Sequence, residues 1–306
     1  MMRITGTFLD EITHDIPANN WGPAEWAADF RVMRAIGIDT VILIRAGVGR
    51  TAACPSQVLQ RAAGILPVYE DLVDMFLGLA EEHGMHFFFG TYDSATRPPR
   101  AWSLQEELDL GRAFIDEVWG RYGRCQAFKG WYLTFEIGRM ERRRVACLSQ
   151  LGRHCKDLSP DLPNLISPYL YGSKLVEDPI TLQEHYADWD EILGALEGVV
   201  DIVAFQDGQV ETDVLPDFLQ ANCELIRRHG MRPWSNVETF DRDMPFDFPP
   251  IDWRKLWWKM QAAERSGVEK LITFEFSHFL SPHSCWPAAR NLFNRYCQHF
   301  GLDVGG

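Results

Sequence analysis

The chain lacks the short glycine motifs that cradle phosphate or expose a serine. Neither GxGxxG, GxxxxGK[ST] nor GxSxG occurs in its 306 residues, so nucleotide cofactors and serine hydrolysis lose their sequence support. No cofactor is expected. CxxC pairs are also missing. The seven cysteines are scattered and odd in number, which argues against a disulfide framework and a cysteine-type zinc site, and for thiols in a reducing compartment. Histidine shows no HxH or HExxH spacing, so no metal is expected either. Positive charge is in short supply: 30 Lys and Arg face 43 Asp and Glu, a formal net charge of −13. The densest basic cluster, Arg139 with Arg142, Arg143 and Arg144, begins a helix and forms no stripe. Nucleic acid is therefore not an expected partner. No apolar run is long enough to span a bilayer, so no membrane partner is expected. The first strand begins by Arg3, which leaves no signal peptide ahead of it and predicts a cytoplasmic protein. A secreted chain trimmed of its signal would look the same.

What the chain does have is a repeated pattern. Hydrophobic residues make up 46% and charged residues 24%, ordinary for a globular protein with a sizeable core. The run GWYLTFEI, residues 130–137, reads as a buried strand that stops near a carboxylate, Glu136. Seven further runs read the same way, at residues 3–9, 40–44, 86–89, 164–167, 201–205, 232–237 and 270–274. Helical patterns alternate with them. Pro23 opens the first helix and Gly37 closes it; Pro67 is expected to open the second and Gly84 to end it. Ser103 with Glu106 makes a capping box for the third. The fourth and fifth are expected over about 139–156 and 186–196, and Asp252 and Gly267 bound the seventh. Residues 46–66 show no clear element, a loop long enough to suggest function. Eight alternating units without a linker predict one (β/α)8 TIM barrel over residues 1–306.

The strand ends carry a biased set of residues: Asp10, Glu11, Arg45, Asp93, Glu136, Gln206, Asp207, Glu238 and Glu275. In a barrel all of them converge on one rim, whatever their separation in sequence. Paired carboxylates at such a rim are the equipment of glycoside hydrolysis. Strands four and seven lie nearly opposite, so Glu136 and Glu238 are the catalytic candidates. Arg45 is a candidate substrate contact, though it could instead neutralise one of the acids. Asp10 and Glu11 are adjacent, so one faces the site at most, and Glu11 is retained. Gln206, Asp207, Glu275 and His278 are candidates for binding hydroxyls. Aromatic residues collect in the same loops: Trp21, Tyr92, Trp102, Tyr169, Tyr171, Trp234, Phe240 and Trp286. Trp21, Tyr92, Tyr171 and Trp234 are taken as sugar contacts, because apolar faces of sugar rings stack on such groups. Trp253 and Trp257, at helical spacing, read as core.

The segments GTFLDE, NNWGPAEW, IGIDTVIL, KGWYLTFEI, LISPYLYG, AFQDG and ITFEFSHFLSP together resemble a bacterial family of barrel domains of unknown function grouped with the glycoside hydrolases. The placement of Glu136 and Glu238 is similar to that in clan A glycoside hydrolases. That resemblance implies Glu136 as acid/base after strand four, Glu238 as nucleophile after strand seven, and a retaining reaction on a carbohydrate. One departure stands out: clan A has Asn before the acid/base, and this chain has Phe135. Two other readings stay open. The same carboxylates with His278 could serve a metal-dependent sugar isomerase or epimerase, or the barrel could bind carbohydrate without turning it over. Sugar, linkage, anomer and oligomeric state are left open by the sequence.

Overall fold

A computed structural model describes residues 1–12, 16–94, 102–244 and 248–304. Eight strands form the barrel: β1 (Ile4–Leu9), β2 (Thr40–Leu43), β3 (His86–Gly90), β4 (Phe128–Tyr132), β5 (Asn164–Ile166), β6 (Ile202–Gln206), β7 (Arg232–Asn236) and β8 (Lys270–Thr273). Each pairs in parallel with the next, and β8 returns to β1, so the sheet closes without an edge. The major helices follow in alternation: α1 (Pro23–Ile36), α2 (Leu72–Glu82), α3 (Leu104–Tyr122), α4 (Arg142–Leu158), α5 (Leu182–Leu196), α6 (Leu215–Arg228), α7 (Trp253–Ser266) and α8 (Pro287–Phe300). The chain is the α/β barrel that its alternating pattern predicts.

Strand periodicity sorts the side chains into two cores. One set points into the barrel: Phe8, Ile42, Phe88, Tyr132, Leu165, Ala204, Trp234 and Ile272 pack there. The other set points outward; Val41, Phe87, Phe89, Trp131 and Val203 meet the helices through Phe30, Phe76, Phe114, Leu148 and Ile226. The barrel interior is filled by pairing small residues with large ones. A Cβ at Gly130 would stand 2.3 Å from the ring of Phe88, so only glycine leaves that ring its place. Each large side chain buried in this way stabilises the fold by about 1.5–3 kcal/mol.

Several boundaries differ from the sequence reading, for local reasons. Strand four ends at Tyr132 and not at Ile137. Its neighbour β5 is only three residues long; the Leu133 N–H makes the last ladder bond, to the Leu165 carbonyl at 3.0 Å, and residues 134–137 leave the sheet as a loop. The stretch after β2 is not structureless. It folds into a hairpin of Gly47–Val48 on Thr51–Ala52, edged by Tyr92–Asp93, and a short helix, Gln57–Ala62. Helix α2 starts after Asp71, whose side chain accepts from Asp74 N–H at 3.0 Å, and Pro67 lies ahead of it. Helix α4 starts at Arg142. Helix α5 starts at Leu182, four residues early, because Thr181 and Glu184 form a capping box. Gly37 and Gly267 close α1 and α7 with left-handed backbone. All seven cysteines are free thiols. Among the described residues no helix is long and apolar enough to cross a membrane.

Candidate active site

The carboxyl ends of the strands surround a pocket of about 70 Å³. Its wall is contributed from around the rim. Phe8 comes from β1, Ile44 and Arg45 follow β2, Glu136 follows β4 and Ser167 follows β5. Gln206 ends β6, Asn236 and Glu238 lie at the end of β7, and Phe274 follows β8. The loop after β7 adds Phe240, Arg242 and Phe248. The pocket therefore holds both catalytic candidates and two arginines, beside one phenylalanine-rich side.

Glu238 is buried and held on several sides. Arg242 grips it in a fork, Nε to Oε2 at 2.9 Å and Nη2 to Oε1 at 2.7 Å, the bidentate geometry in which arginine binds carboxylate best. Gln209 donates to Oε1 at 3.2 Å. The guanidinium of Arg242 lies over the rings of Phe240 and Phe248 at 4.7 and 5.7 Å from their centroids, which shields the fork from water. The backbone of Glu238 is fixed as well: its N–H donates to Asp207 Oδ1 at 3.0 Å and its carbonyl accepts from Lys259 Nζ at 2.9 Å. Asp207 and Lys259 are themselves a buried ion pair at 2.7 Å. Burial pushes the Asp207 carboxyl up to about 6, against the pull of Lys259 and with the push of the Glu238 charge. Asp207 thus sits behind Glu238 and orients its backbone, and it is absent from the pocket wall.

Glu136 is the more accessible acid; its side chain is 28% exposed, against 2% for Glu238. Arg45 Nη2 stands 3.5 Å from Glu136 Oε1 and its Nε 4.0 Å from Asp93. Burial would lower the Arg45 value, but Glu136, Tyr132 and Asp93 hold it above the usual range. Phe135 itself packs into the outer core, and Glu136 faces the Arg45 guanidinium in the pocket. Gln206 donates to the Ser167 carbonyl at 3.0 Å and accepts from Gln209 at 2.8 Å. Asn236 donates to Ser167 Oγ at 3.2 Å and accepts from Phe274 N–H at 2.8 Å. These links tie the floor of the pocket to the β8 turn.

Glu275 and His278 follow the carboxyl end of β8 but are absent from the pocket wall. Glu275 is fully buried and caps the short helix Phe276–Phe279, accepting from Ser277 N–H at 3.2 Å. His278 Nδ1 is bonded to Glu275, and its Nε2 reaches the Pro17 carbonyl at 2.8 Å. Glu11 is half-buried beside them, and burial pushes its carboxyl up to about 7 while His278 pulls it down. For His278, burial by itself lowers the value; the facing Glu275 outweighs it, with help from Glu11, and raises the ring from 6.5 to about 9. The imidazolium is favoured in the fold relative to the unfolded chain. Its stabilisation is full below about pH 6.5 and lost as pH rises through about 9. Between pH 7 and 10 the melting temperature should fall, and the fall should be smaller in His278→Asn. Equal slopes for the two proteins would show that the pair does not govern this limb.

The aromatic candidates do not gather at the pocket. Trp21 packs edge-on against Trp26, with ring centroids 5.0 Å apart, at the head of α1. Tyr92 is buried; its hydroxyl donates to the Gly49 carbonyl at 2.8 Å and steadies the hairpin. Tyr171 carries Arg139 over its ring at 5.5 Å. Trp234 lies inside the barrel, where its strand position pairs with Lys270 at the start of β8. Lys270 Nζ and the Phe88 ring contact it at 5.4 and 6.1 Å, well below the rim. The pocket's aromatic surface is phenylalanine instead. Trp253 and Trp257 are half-buried against His299 of α8. A larger cavity of about 620 Å³ lies beside Tyr92, Trp102 and Glu107 on the flank of α3, and neither catalytic candidate borders it.

Arg242, Lys259, Asn236, Ser167 and Gln209 escape a reading restricted to strand-end charges. One of them left a signal. Lys259 occupies the stripe Leu256, Lys259, Met260, Ala263 on the buried face of α7, and a lysine at such a place requires a buried partner. Arg242 stands four residues after Glu238, but residues 238–242 of the loop after β7 are not helical, so that spacing does not by itself predict the pair. Among the described residues no group of three His, Cys, Asp or Glu is placed to hold a metal ion. The residues weighed as metal ligands are occupied separately, Glu136 with Arg45, Asp207 with Lys259, Glu238 with Arg242 and Glu275 with His278.

Fold and pocket together define a (β/α)8 barrel with paired acids at its carboxyl rim. The chain belongs to the family described as domain of unknown function (DUF4434), whose profile matches residues 4–286. No curated protein matches it. A solved structure from Bacteroides thetaiotaomicron, provisionally described as an alpha-L-fucosidase, is similar with a TM-score of 0.94 at 45% identity, over 99% of this chain and 94% of that one. An endo-1,4-β-D-mannanase from Thermotoga petrophila is similar with a TM-score of 0.57 at 12% identity, over 89% and 87%. An intracellular xylanase from Thermoanaerobacterium saccharolyticum follows at 0.53 and 13% identity, over 88% and 84%. At such identities the last two share the barrel alone.

Proposed function

We propose that the protein hydrolyses an O-glycosidic bond in the rim pocket, with Glu136 as acid/base and Glu238 as nucleophile. The observation that carries this reading is that these two glutamates, from the β4 and β7 loops, line one pocket. Glu136, the more exposed, is placed to meet the leaving group and later a water. Glu238, held by the Arg242 fork, presents a fixed carboxylate to the anomeric carbon. Attack by Glu238 forms a glycosyl ester while Glu136 passes its proton to the departing oxygen. Water then cleaves the ester with Glu136 as base, and the anomer is retained. Retention requires the carboxyl groups to lie about 5–5.5 Å apart in the working enzyme, whereas inversion requires about 6.5–9.5 Å.

The pocket wall supports one class of sugar over others. Phe8, Phe240, Phe248 and Phe274 border the pocket, and the polar groups Ser167, Gln206 and Asn236 are already bonded to one another or to backbone. Both arginines are matched by glutamates. A neutral sugar with an apolar edge suits this surface better than a uronate or a sulfated ring. A 6-deoxyhexose offers such an edge in its methyl group. The provisional description of the Bacteroides relative puts α-L-fucosides first among substrates to try. Nitrophenyl glycosides of L-fucose, D-galactose, D-mannose and D-xylose test the reading, with the product anomer followed by NMR. Release of nitrophenol with net retention from one of them is expected. Binding without release across the set would favour a carbohydrate-binding barrel, and interconversion of the corresponding free sugars that needs a divalent ion would favour an isomerase or epimerase.

A further inference from the structure

We infer that Gly208 is a positioning residue for the Glu238–Arg242 pair, an inference that rests on the reading of Glu238 as nucleophile. Gly208 follows Asp207 in the turn after β6. A Cβ built on it would stand 1.7 Å from Glu238 Oε2, 2.8 Å from Glu238 Cδ and 2.8 Å from Arg242 Nε. Real Cβ atoms never approach so closely, so the carboxylate and the guanidinium would both have to move. The backbone does not demand glycine here, because Gly208 is not among the residues with positive φ. Space is the demand. The missing side chain lets one carboxylate oxygen and one guanidinium nitrogen lie directly against the main chain.

The neighbours explain why the pair has nowhere else to go. Gln209, next in the chain, holds the other oxygen, Oε1, at 3.2 Å. Asp207, the preceding residue, fixes the Glu238 N–H at 3.0 Å. Three consecutive residues of the β6 turn thus set backbone, carboxylate face and carboxylate edge of one side chain. On the opposite side Phe240 and Phe248 stack on the Arg242 guanidinium. Any added atom at position 208 must therefore be absorbed by rotation of the Glu238 carboxylate toward the pocket, or by opening of the fork.

The test is Gly208→Ala, measured with and without Glu238. A nucleophile displaced by about 1 Å loses on the order of 100-fold in rate. In the Gly208→Ala protein kcat should fall by about that factor, with KM changed less than about threefold. Gly120→Ala, where a Cβ meets nothing within 4 Å on α3, should keep wild-type kcat. A second measurement does not depend on turnover. Gly208→Ala should lower the melting temperature of the wild-type protein by about 2–8 °C, and the drop should shrink by at least half in the Glu238→Ala background, where the clashing oxygens are gone. Unchanged kcat and an equal thermal drop in both backgrounds would overturn the inference. A protein that turns over no glycoside but shows the non-additive thermal effect would sink the functional reading and leave the positioning role standing.

Discussion

Replacing Glu238 by alanine is expected to abolish turnover, with kcat lower by about 10⁴-fold or more, as for removal of a covalent nucleophile elsewhere. The substitution deletes the group that forms the glycosyl ester. It also opens space beside the anomeric carbon, between Gln209 and the Arg242 fork. Azide can occupy that space and attack once, so added azide should restore part of the rate and yield a glycosyl azide of inverted configuration. The structural cost must be separated from the chemical one. Arg242 would lose its carboxylate while its side chain is only 20% exposed, and breaking such a pair costs roughly 3–5 kcal/mol when it is buried. Glu238→Gln keeps the volume and a carbonyl for the guanidinium, so it should melt closer to wild type and still be inactive. Wild-type kcat in Glu238→Gln would remove Glu238 from the mechanism.

Glu136→Ala should fail in a different way. The acid is needed in proportion to how poor the leaving group is. For a nitrophenyl glycoside, kcat/KM should fall by less than about tenfold; for an alkyl or sugar leaving group it should fall by about 10²–10⁴-fold. Breakdown of the ester also needs Glu136 as base, so kcat should drop even for activated substrates and a burst of nitrophenol should appear. Azide needs no base. It should accelerate the second step and give a glycosyl azide of retained configuration, opposite to the Glu238→Ala product. A uniform loss across leaving groups would remove the acid role from Glu136. Arg45, only 13% exposed, would lose Glu136 but keep Asp93 at 4.0 Å, so the stability cost should be smaller than for Glu238→Ala. If both variants stayed active, Asp207 and Glu275 would be poor substitutes, since one is bound to Lys259 and the other to His278, and neither lines the pocket.

The barrel was legible because its signals are local. Eight apolar runs of strand length alternate with helical stripes, and caps such as Pro23, Gly37, Asp252 and Gly267 punctuate them. Thr181 with Glu184 was an equally local signal for the start of α5, present in the sequence and passed over. The end of β4 was not local. Residues 134–137 have a strand-like pattern, yet the ladder ends with the Leu133 N–H because β5 is short. The aromatic residues divide on the same principle. A tryptophan in a strand is equally apolar at either end of a barrel, and only the register of Trp234 beside Lys270 puts it low in the interior.

What the sequence determined by itself was the set of strand-end residues from which a site could be built, because strand length and polarity depend on near neighbours. Which of those residues share a pocket was decided by the tertiary structure. Each acid settles against a cation: Arg45 and Lys259 come from distant parts of the chain to Glu136 and Asp207, whereas Arg242 and His278 lie four and three residues after Glu238 and Glu275. Isolated charge is costly to bury, so these pairings choose which carboxylates turn inward as scaffold and which remain at the pocket. For Glu136 and Asp207 that choice depends on distances across the closed barrel, which no spacing along the chain encodes.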